Sequence, residues 1–107
     1  MMGVETGWEN FYKAFYFVVA SKEPVRQRLS GVVSTICDLA RDNFPDNETW
    51  YRFQLLMAGN TKLSGNGNGD AIATTISHMP EEEAVAWLLH AFTLFSDLAY
   101  AYGQENS

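Results

Sequence analysis

The chain has 107 residues, of which 47% are hydrophobic and fifteen are aromatic (seven Phe, five Tyr and three Trp). This composition excludes a disordered chain, because disorder requires low hydrophobicity and high charge. A length near one hundred residues favours one domain. We therefore predict a single helical domain over residues 1–107, with a packed core over 5–103 and a flexible Gly/Asn loop over 60–70.

Acidic residues outnumber basic ones, thirteen to seven, for a net charge of −6 at pH 7. From residue 53 onward the only Lys or Arg is Lys62. A protein that grips phosphates needs clustered Lys and Arg, since counterion release supplies most of that affinity. The sequence therefore predicts no direct binding to nucleic acid or to an anionic membrane, while a basic protein partner is compatible with it.

Cys37 is the only cysteine, so the chain cannot form an internal disulfide, and we predict a buried, inert thiol. Together with His78 and His90 it makes too scattered a set for a structural zinc site, so no metal and no cofactor is predicted. The N-terminus lacks a basic region followed by an apolar run, and we accordingly predict no signal peptide and a cytoplasmic protein.

The first predicted helix begins at Thr6, which forms a capping-box pattern with Glu9, and ends near Ala20. Its apolar stripe recurs at helical spacing and consists of Trp8, Phe11, Phe15 and Val19, widened by Tyr12 and Val18. The second helix starts between Ser21 and Pro24. Its buried face is predicted to be Val25, Leu29, Val32, Val33, Ile36 and Leu39.

The third predicted helix is capped by Asp46 or Asn47, and Gly59 and Asn60 end it. Its stripe is Trp50, Phe53, Leu56 and Met57. Residues 64–69 read S-G-N-G-N-G and predict a connecting loop, since no strand precedes them and no Walker lysine follows. Asp70 is the predicted N-cap of a fourth helix carrying Ile72, Ile76 and Met79, with a strand over 71–76 as the less favoured alternative.

The last predicted helix begins at Pro80 and runs to about Tyr102, with three glutamates in its first turn, where the helix dipole favours anions. Between residues 84 and 102 only His90, Thr93, Ser96 and Asp97 are polar. His90, Thr93 and Asp97 form one narrow stripe, and the remaining circumference is apolar. A surface helix normally has a polar half, so this helix must be wrapped by the other helices, by a partner, or by both.

A membrane-spanning role for this helix is not predicted, because His90 and Asp97 would be costly in hydrocarbon and Lys or Arg anchors are missing at both ends. The fold predicted is all-α: a compact bundle of four to five helices with the apolar C-terminal helix at its centre. His90 and Asp97 could in principle polarise one another for catalysis, but no strong nucleophile is near them. We favour a solvated or hydrogen-bonded stripe, and no catalytic residue is assigned.

Three segments resemble a family of short, uncharacterised bacterial helical proteins. They are E-P-V-R-Q-R-L at 23–29, F-P-D-N at 44–47 and G-D-A-I-A-T-T-I-S-H-M-P-E-E-E-A at 69–84. The resemblance covers the chain from about Trp8 to Tyr100. It implies a bacterial, often mobile-element, origin and a compact helical fold, and it implies no activity and no functional residue.

The surplus of apolar surface and the absence of a catalytic constellation predict a non-catalytic protein-interaction module that binds a protein partner or a second copy of itself. Such a module could serve as an accessory subunit, an inhibitor or an immunity-type factor. The predicted interface residues are Trp8, Phe11, Tyr12, Phe15, Trp87, Phe95, Tyr100 and Tyr102. The alternative is a small-molecule sensor with a pocket between the first and last helices, where His90, Asp97 and Tyr100 would supply polar groups.

Overall fold

The computed structural model describes residues 3–63 and 68–105, which form α-helices joined by short connections. The helices are α1 (Val4–Ala20), α2 (Val25–Ile36), α3 (Asn47–Gly59), α4 (Asn68–Ser77) and α5 (Glu81–Glu105), with a short 3-10 turn at Arg41–Asn43 between α2 and α3. The described residues contain no strand, so the all-α prediction is confirmed. The strand alternative for 71–76 is wrong, because this segment lies within α4.

Helix α1 begins at Val4, two residues before the predicted start at Thr6. A tertiary contact explains the extension, since the buried Asn43 side chain donates a hydrogen bond to the Gly3 carbonyl at 3.2 Å. The buried face of α1 is also rotated from the predicted stripe and consists of Val4, Gly7, Phe11 and Ala14. Small residues on this face allow close packing, and Val19, predicted to lie on the stripe, is exposed.

The predicted faces of α2 and α3 are confirmed: in α3, Phe53 and Leu56 are buried. Three further predicted residues are half-buried against the core, namely Val25, Trp50 and Met57. In α2 the residues Leu29, Val32, Val33 and Ile36 are buried, and Leu39 is buried just beyond the helix end. Helix α3 is capped by Asp46, whose carboxylate accepts the Thr49 backbone N–H at 2.8 Å. This cap fixes the start of α3, as expected for an aspartate at that position.

Helix α4 begins at Asn68 rather than after Asp70, and it buries the predicted Ile72 and Ile76, with Met79 buried just after its end. The predicted flexible loop over 60–70 lies partly outside the described residues, at 64–67. Of its remaining positions, 68–70 belong to α4 and Asn60 is buried, with its side-chain N–H donating to the Leu56 carbonyl at 2.7 Å.

Two apolar clusters form the core, and α5 contributes to both. The larger cluster joins α1, α2, α3 and α5, and the smaller one joins α2, α4 and Ala84 at the start of α5. Helix α5 packs against α1, α2 and α3. Its opposite side faces solvent, so the other helices of this chain cover only one side of it. Of the covers that the sequence analysis allowed, the helices of this chain supply a part, and α2 shares the central position.

Candidate interaction surface

One side of α5 carries polar groups, and α3 supplies their partner. The Arg52 guanidinium forms an ion pair with the Asp97 carboxylate, and the Arg52 backbone carbonyl accepts a hydrogen bond from His90 Nε2 at 2.9 Å. Because a carbonyl cannot donate, the His90 ring carries its proton on Nε2 in this contact. Two of the three predicted stripe residues therefore hold α5 against α3 and are not a free acid–base pair.

Thr93, the third residue of the predicted polar stripe, is exposed, and its hydroxyl donates to the Leu89 carbonyl one turn earlier at 3.0 Å. The structure therefore splits this stripe, with His90 and Asp97 against α3 and Thr93 on the solvent side. Cys37 is half-buried rather than fully buried as predicted. Desolvation and the neighbouring Asp38 raise the pKa of its thiol, which donates to the Ser34 carbonyl at 3.2 Å.

Four of the predicted interface aromatics are half-buried between the antiparallel helices α1 and α5, namely Trp8, Phe15, Phe95 and Tyr102. Trp8 stacks on Tyr102 with ring centroids 5.1 Å apart, and Phe15 stacks on Phe95 at 5.6 Å. Phe11 has 0% exposure, so its assignment to an interface is wrong, because the rotated face of α1 places it at the centre of the core. Trp87 is half-buried and packs on α3 at Gly59. Its indole N–H donates to the Glu83 carboxylate at 3.2 Å.

Other apolar residues lie on the solvent side of the same two helices. We define the α1/α5 face as Tyr12, Tyr16, Val19, Val85, Leu89 and Phe92, all of which are exposed. Leu89 and Phe92 are 63% and 50% exposed, respectively. Of the predicted interface residues, Tyr12 belongs to this face, and Tyr100 is 71% exposed on the side of α5 next to α3.

A groove of about 440 Å³ runs along the α1/α5 face. Its walls are aromatic and aliphatic, and the lining residues are Tyr12, Phe15, Tyr16, Val19, Ala20, Phe92 and Phe95. A depression between the first and last helices is therefore present where the small-molecule alternative requires one. Its proposed polar groups are elsewhere, since Asp97 and Tyr100 line a different depression beside α3 and His90 contacts α3.

The solvent side of α5 carries no charge over five turns. Its exposed positions from Val85 to Gly103 are Val85, Ala86, Leu89, Phe92, Thr93, Ser96, Tyr100 and Gly103. The three glutamates of the first turn end this surface on one side, and Asp97 points to Arg52 on α3. In a chain of net charge −6 this side is an uncharged surface bounded by acidic residues.

By length and composition alone, the segment Glu81–Gln104 of α5 could cross a membrane, with a mean hydropathy of 1.3 over its most apolar window. Core helices of soluble proteins pass the same test. Here α5 packs against three other helices and carries an ion pair to one of them. Its hydropathy is therefore explained in part by the core and in part by the uncharged exposed side.

Among the described residues, no group of three His, Cys, Asp or Glu side chains could hold a metal ion. A scan against family models, a search of curated proteins and a search of solved structures found no match. The resemblance to short bacterial helical proteins thus stays a prediction.

Two features of the surface were not predicted from the sequence. They are Arg52, which organises the polar side of α5, and the spacing of Val85, Leu89 and Phe92, which marks its exposed side. Arg52 lies on the third predicted helix, and its distance of 45 residues from Asp97 leaves no local pattern. The 85–89–92 spacing of four and three was visible, but an all-round apolar helix does not reveal which side its neighbours leave open.

Proposed function

We propose that this chain is a small non-catalytic interaction module that binds a protein partner through the α1/α5 face. The uncharged, apolar solvent side of α5 carries the proposal. Large exposed apolar patches on monomeric soluble proteins are uncommon and mark interaction sites. Tyrosine, which contributes Tyr12 and Tyr16 to this face, is also enriched among the residues that dominate binding energy.

The chemistry of the polar residues supports a non-catalytic role. A general base must lie within hydrogen-bond reach of a substrate site. His90 Nε2 contacts the Arg52 backbone carbonyl and Asp97 is ion-paired with Arg52, so these two polar groups of α5 stabilise the helix packing. An accessory subunit, an inhibitor and an immunity-type factor all work through contacts of this kind, with no cofactor.

The groups that surround the face favour a protein over nucleic acid as the partner. The two helices of the face carry the exposed Glu5 and Glu9 on α1 and three glutamates in the first turn of α5, and Lys13 is the one basic residue of α1. Phosphate backbones would be repelled by these carboxylates. An apolar protein surface would instead bury the exposed aromatics at little electrostatic cost.

Site-specific photo-crosslinking in living cells tests this proposal. The photoreactive residue p-benzoylphenylalanine would replace Leu89 on the α1/α5 face and, as a matched control, Leu55 on the exposed side of α3. We expect discrete protein adducts from position 89 and none from position 55. No adduct from position 89, or equal adducts from both positions, would overturn the proposal.

A further inference from the structure

The spacing of the exposed residues on α5 points to a specific occupant. Val85, Leu89, Phe92, Ser96, Ala99 and Gly103 follow one another at intervals of four, three, four, three and four residues, and we call this line the α5 seam. This 3.5-residue repeat is the pattern by which helices pair in coiled coils. All seam residues are exposed except Ala99, which is half-buried.

The α5 seam is graded by size, with large residues in its first half and small residues in its second half. Two seams can pair antiparallel with the midpoint of the pair level with Leu94. Val85 then faces Gly103 of a second copy, Leu89 faces Ala99, and Phe92 faces Ser96. The alternating spacing of four and three residues assigns the seam residues to the a and d positions of a heptad. Each of these layers pairs an a position of one copy with a d position of the other, as antiparallel pairing requires. A large side chain therefore meets a small one in each layer, which allows close and even packing.

The pairing of a large side chain with a small one extends to a position beside the seam. Tyr100 lies beside the seam and is 71% exposed, and the antiparallel arrangement places it over the exposed Ala86 of the other copy. A parallel pair would instead oppose Leu89 to Leu89 and Phe92 to Phe92 at one end, and only small residues at the other. The helices of a parallel pair would splay.

Charge also selects the antiparallel pair. The described chain carries an acidic triplet, Glu81, Glu82 and Glu83, in the first turn of α5. A parallel pair would bring the two triplets together, where like charges repel. An antiparallel pair separates them by the seam, which spans nineteen residues and about 27 Å at 1.5 Å per residue, and each triplet then lies near one acid of the other helix, Glu105.

We infer that the occupant of the α1/α5 face is a second copy of this chain, paired antiparallel along the α5 seam. This inference rests on the proposed function and names its partner. Two copies of an acidic chain can approach closely only where they carry no charge, and the seam is such a surface. A stable interface buries about 1,200 Å² or more in total, and Tyr12, Tyr16 and Val19 on α1 provide apolar surface beside the seam.

Sedimentation equilibrium of the full chain tests the pairing. We expect a mass that approaches twice the 12.0 kDa of one chain as concentration rises. Leu89→Lys should weaken self-association at least about tenfold, equivalent to 1.4 kcal/mol. Leu55→Lys, the same change at a 41% exposed leucine of α3, should leave it unchanged. Circular dichroism checks that both variants keep their helix content.

Cysteine pairing tests the orientation, in a Cys37→Ser background. A disulfide needs Cα atoms within about 7 Å. A mixture of Leu89→Cys and Ala99→Cys chains should form the mixed disulfide, and Leu89→Cys chains alone should form no disulfide dimer. Self-linkage of Leu89→Cys chains without the mixed disulfide would overturn the antiparallel arrangement.

Three outcomes would overturn the inference in distinguishable ways. If the chain is a monomer at all concentrations and position 89 cross-links to a different protein in cells, the pairing with a second copy is wrong and the proposed function stands. If the chain is a monomer and yields no cross-link, both the pairing and the proposed function are wrong. A monomer that binds phosphatidylcholine vesicles through the seam, with binding lost in Leu89→Lys, replaces the protein partner with a membrane surface.

Discussion

The two sides of α5 differ in how much of their surface the rest of the chain covers. On the inner side, Ala84, Ala91, Leu94 and Leu98 are buried, and His90 and Asp97 find their partner in α3. On the outer side, Val85, Leu89, Phe92 and Tyr100 remain exposed. Both sides are apolar in composition, yet only one of them belongs to the core of this chain.

Hydrophobicity alone therefore does not identify a core helix. Leu94 and Leu89 are the same residue type on the same helix, five positions apart, and they have 0% and 63% exposure, respectively. What separates them is the geometry of three neighbouring helices, which cover one half of the cylinder. The uncovered half is then available to an external surface, and this is the basis of the proposed interaction.

The largest expected effect compares these two leucines directly. Leu94→Ala removes buried methyl groups and leaves a cavity, so we expect a loss of about 2–5 kcal/mol in the free energy of unfolding. Leu89→Ala should change it by no more than about 0.5 kcal/mol. Urea unfolding, at concentrations where the chain is monomeric, measures both. Equal losses would show that the outer side is covered within a single chain.

A smaller effect is expected where α3 touches the inner side of α5. A Cβ on Gly59 would overlap the Trp87 ring, so Gly59→Ala should destabilise the fold by about 1–3 kcal/mol through overpacking. Gly31→Ala is the matched control, because a Cβ there meets nothing within 4 Å. In mid-helix it should stabilise the protein by about 0.4–1 kcal/mol. Thermal unfolding of the two variants should thus give midpoint shifts of opposite sign, and a Gly59→Ala protein as stable as Gly31→Ala would refute the tight contact.

The smallest effect concerns the cap that holds α3, and with it Arg52, in place. Hydrogen bonds from the Thr49 backbone N–H and hydroxyl lower the pKa of Asp46. A lowered pKa in the folded state gives a stabilisation that is present above the unfolded-state pKa and is lost as pH falls through the folded-state pKa. Asp46→Ala should therefore cost about 1 kcal/mol at neutral pH, with a smaller difference in acid.

Asp46→Asn provides the control for this titration, since asparagine caps a helix about as well and does not ionise. Urea unfolding of wild type and both variants between neutral pH and about pH 3, below the reference pKa of aspartate, measures the dependence. A difference between wild type and Asp46→Asn that is constant over this range would exclude a contribution from the Asp46 carboxylate.

Local patterns predicted the elements well where the signal lay within a few residues. Neighbouring positions were enough to predict four features: the apolar face of α2, the Asp46 cap of α3, the end of α3 at Gly59 and the start of α5 after Pro80. The start of α1 was mispredicted because the deciding contact joins Gly3 to Asn43, 40 residues away. The same limitation hid the pairing of Arg52 with Asp97, which only the packing of α3 on α5 creates.

Composition and helical periodicity are local properties, and they are enough to predict that this chain is helical, acidic and richer in apolar surface than short helices hide. Which of the apolar residues stay exposed depends on how the helices pack. The tertiary structure buried Phe11, left Leu89 and Phe92 in solvent, and moved His90 and Asp97 into the contact with Arg52. The physical reason is that burial depends on the side from which neighbouring helices approach, and small residues such as Gly7 and Gly59 set that approach through contacts distant in sequence.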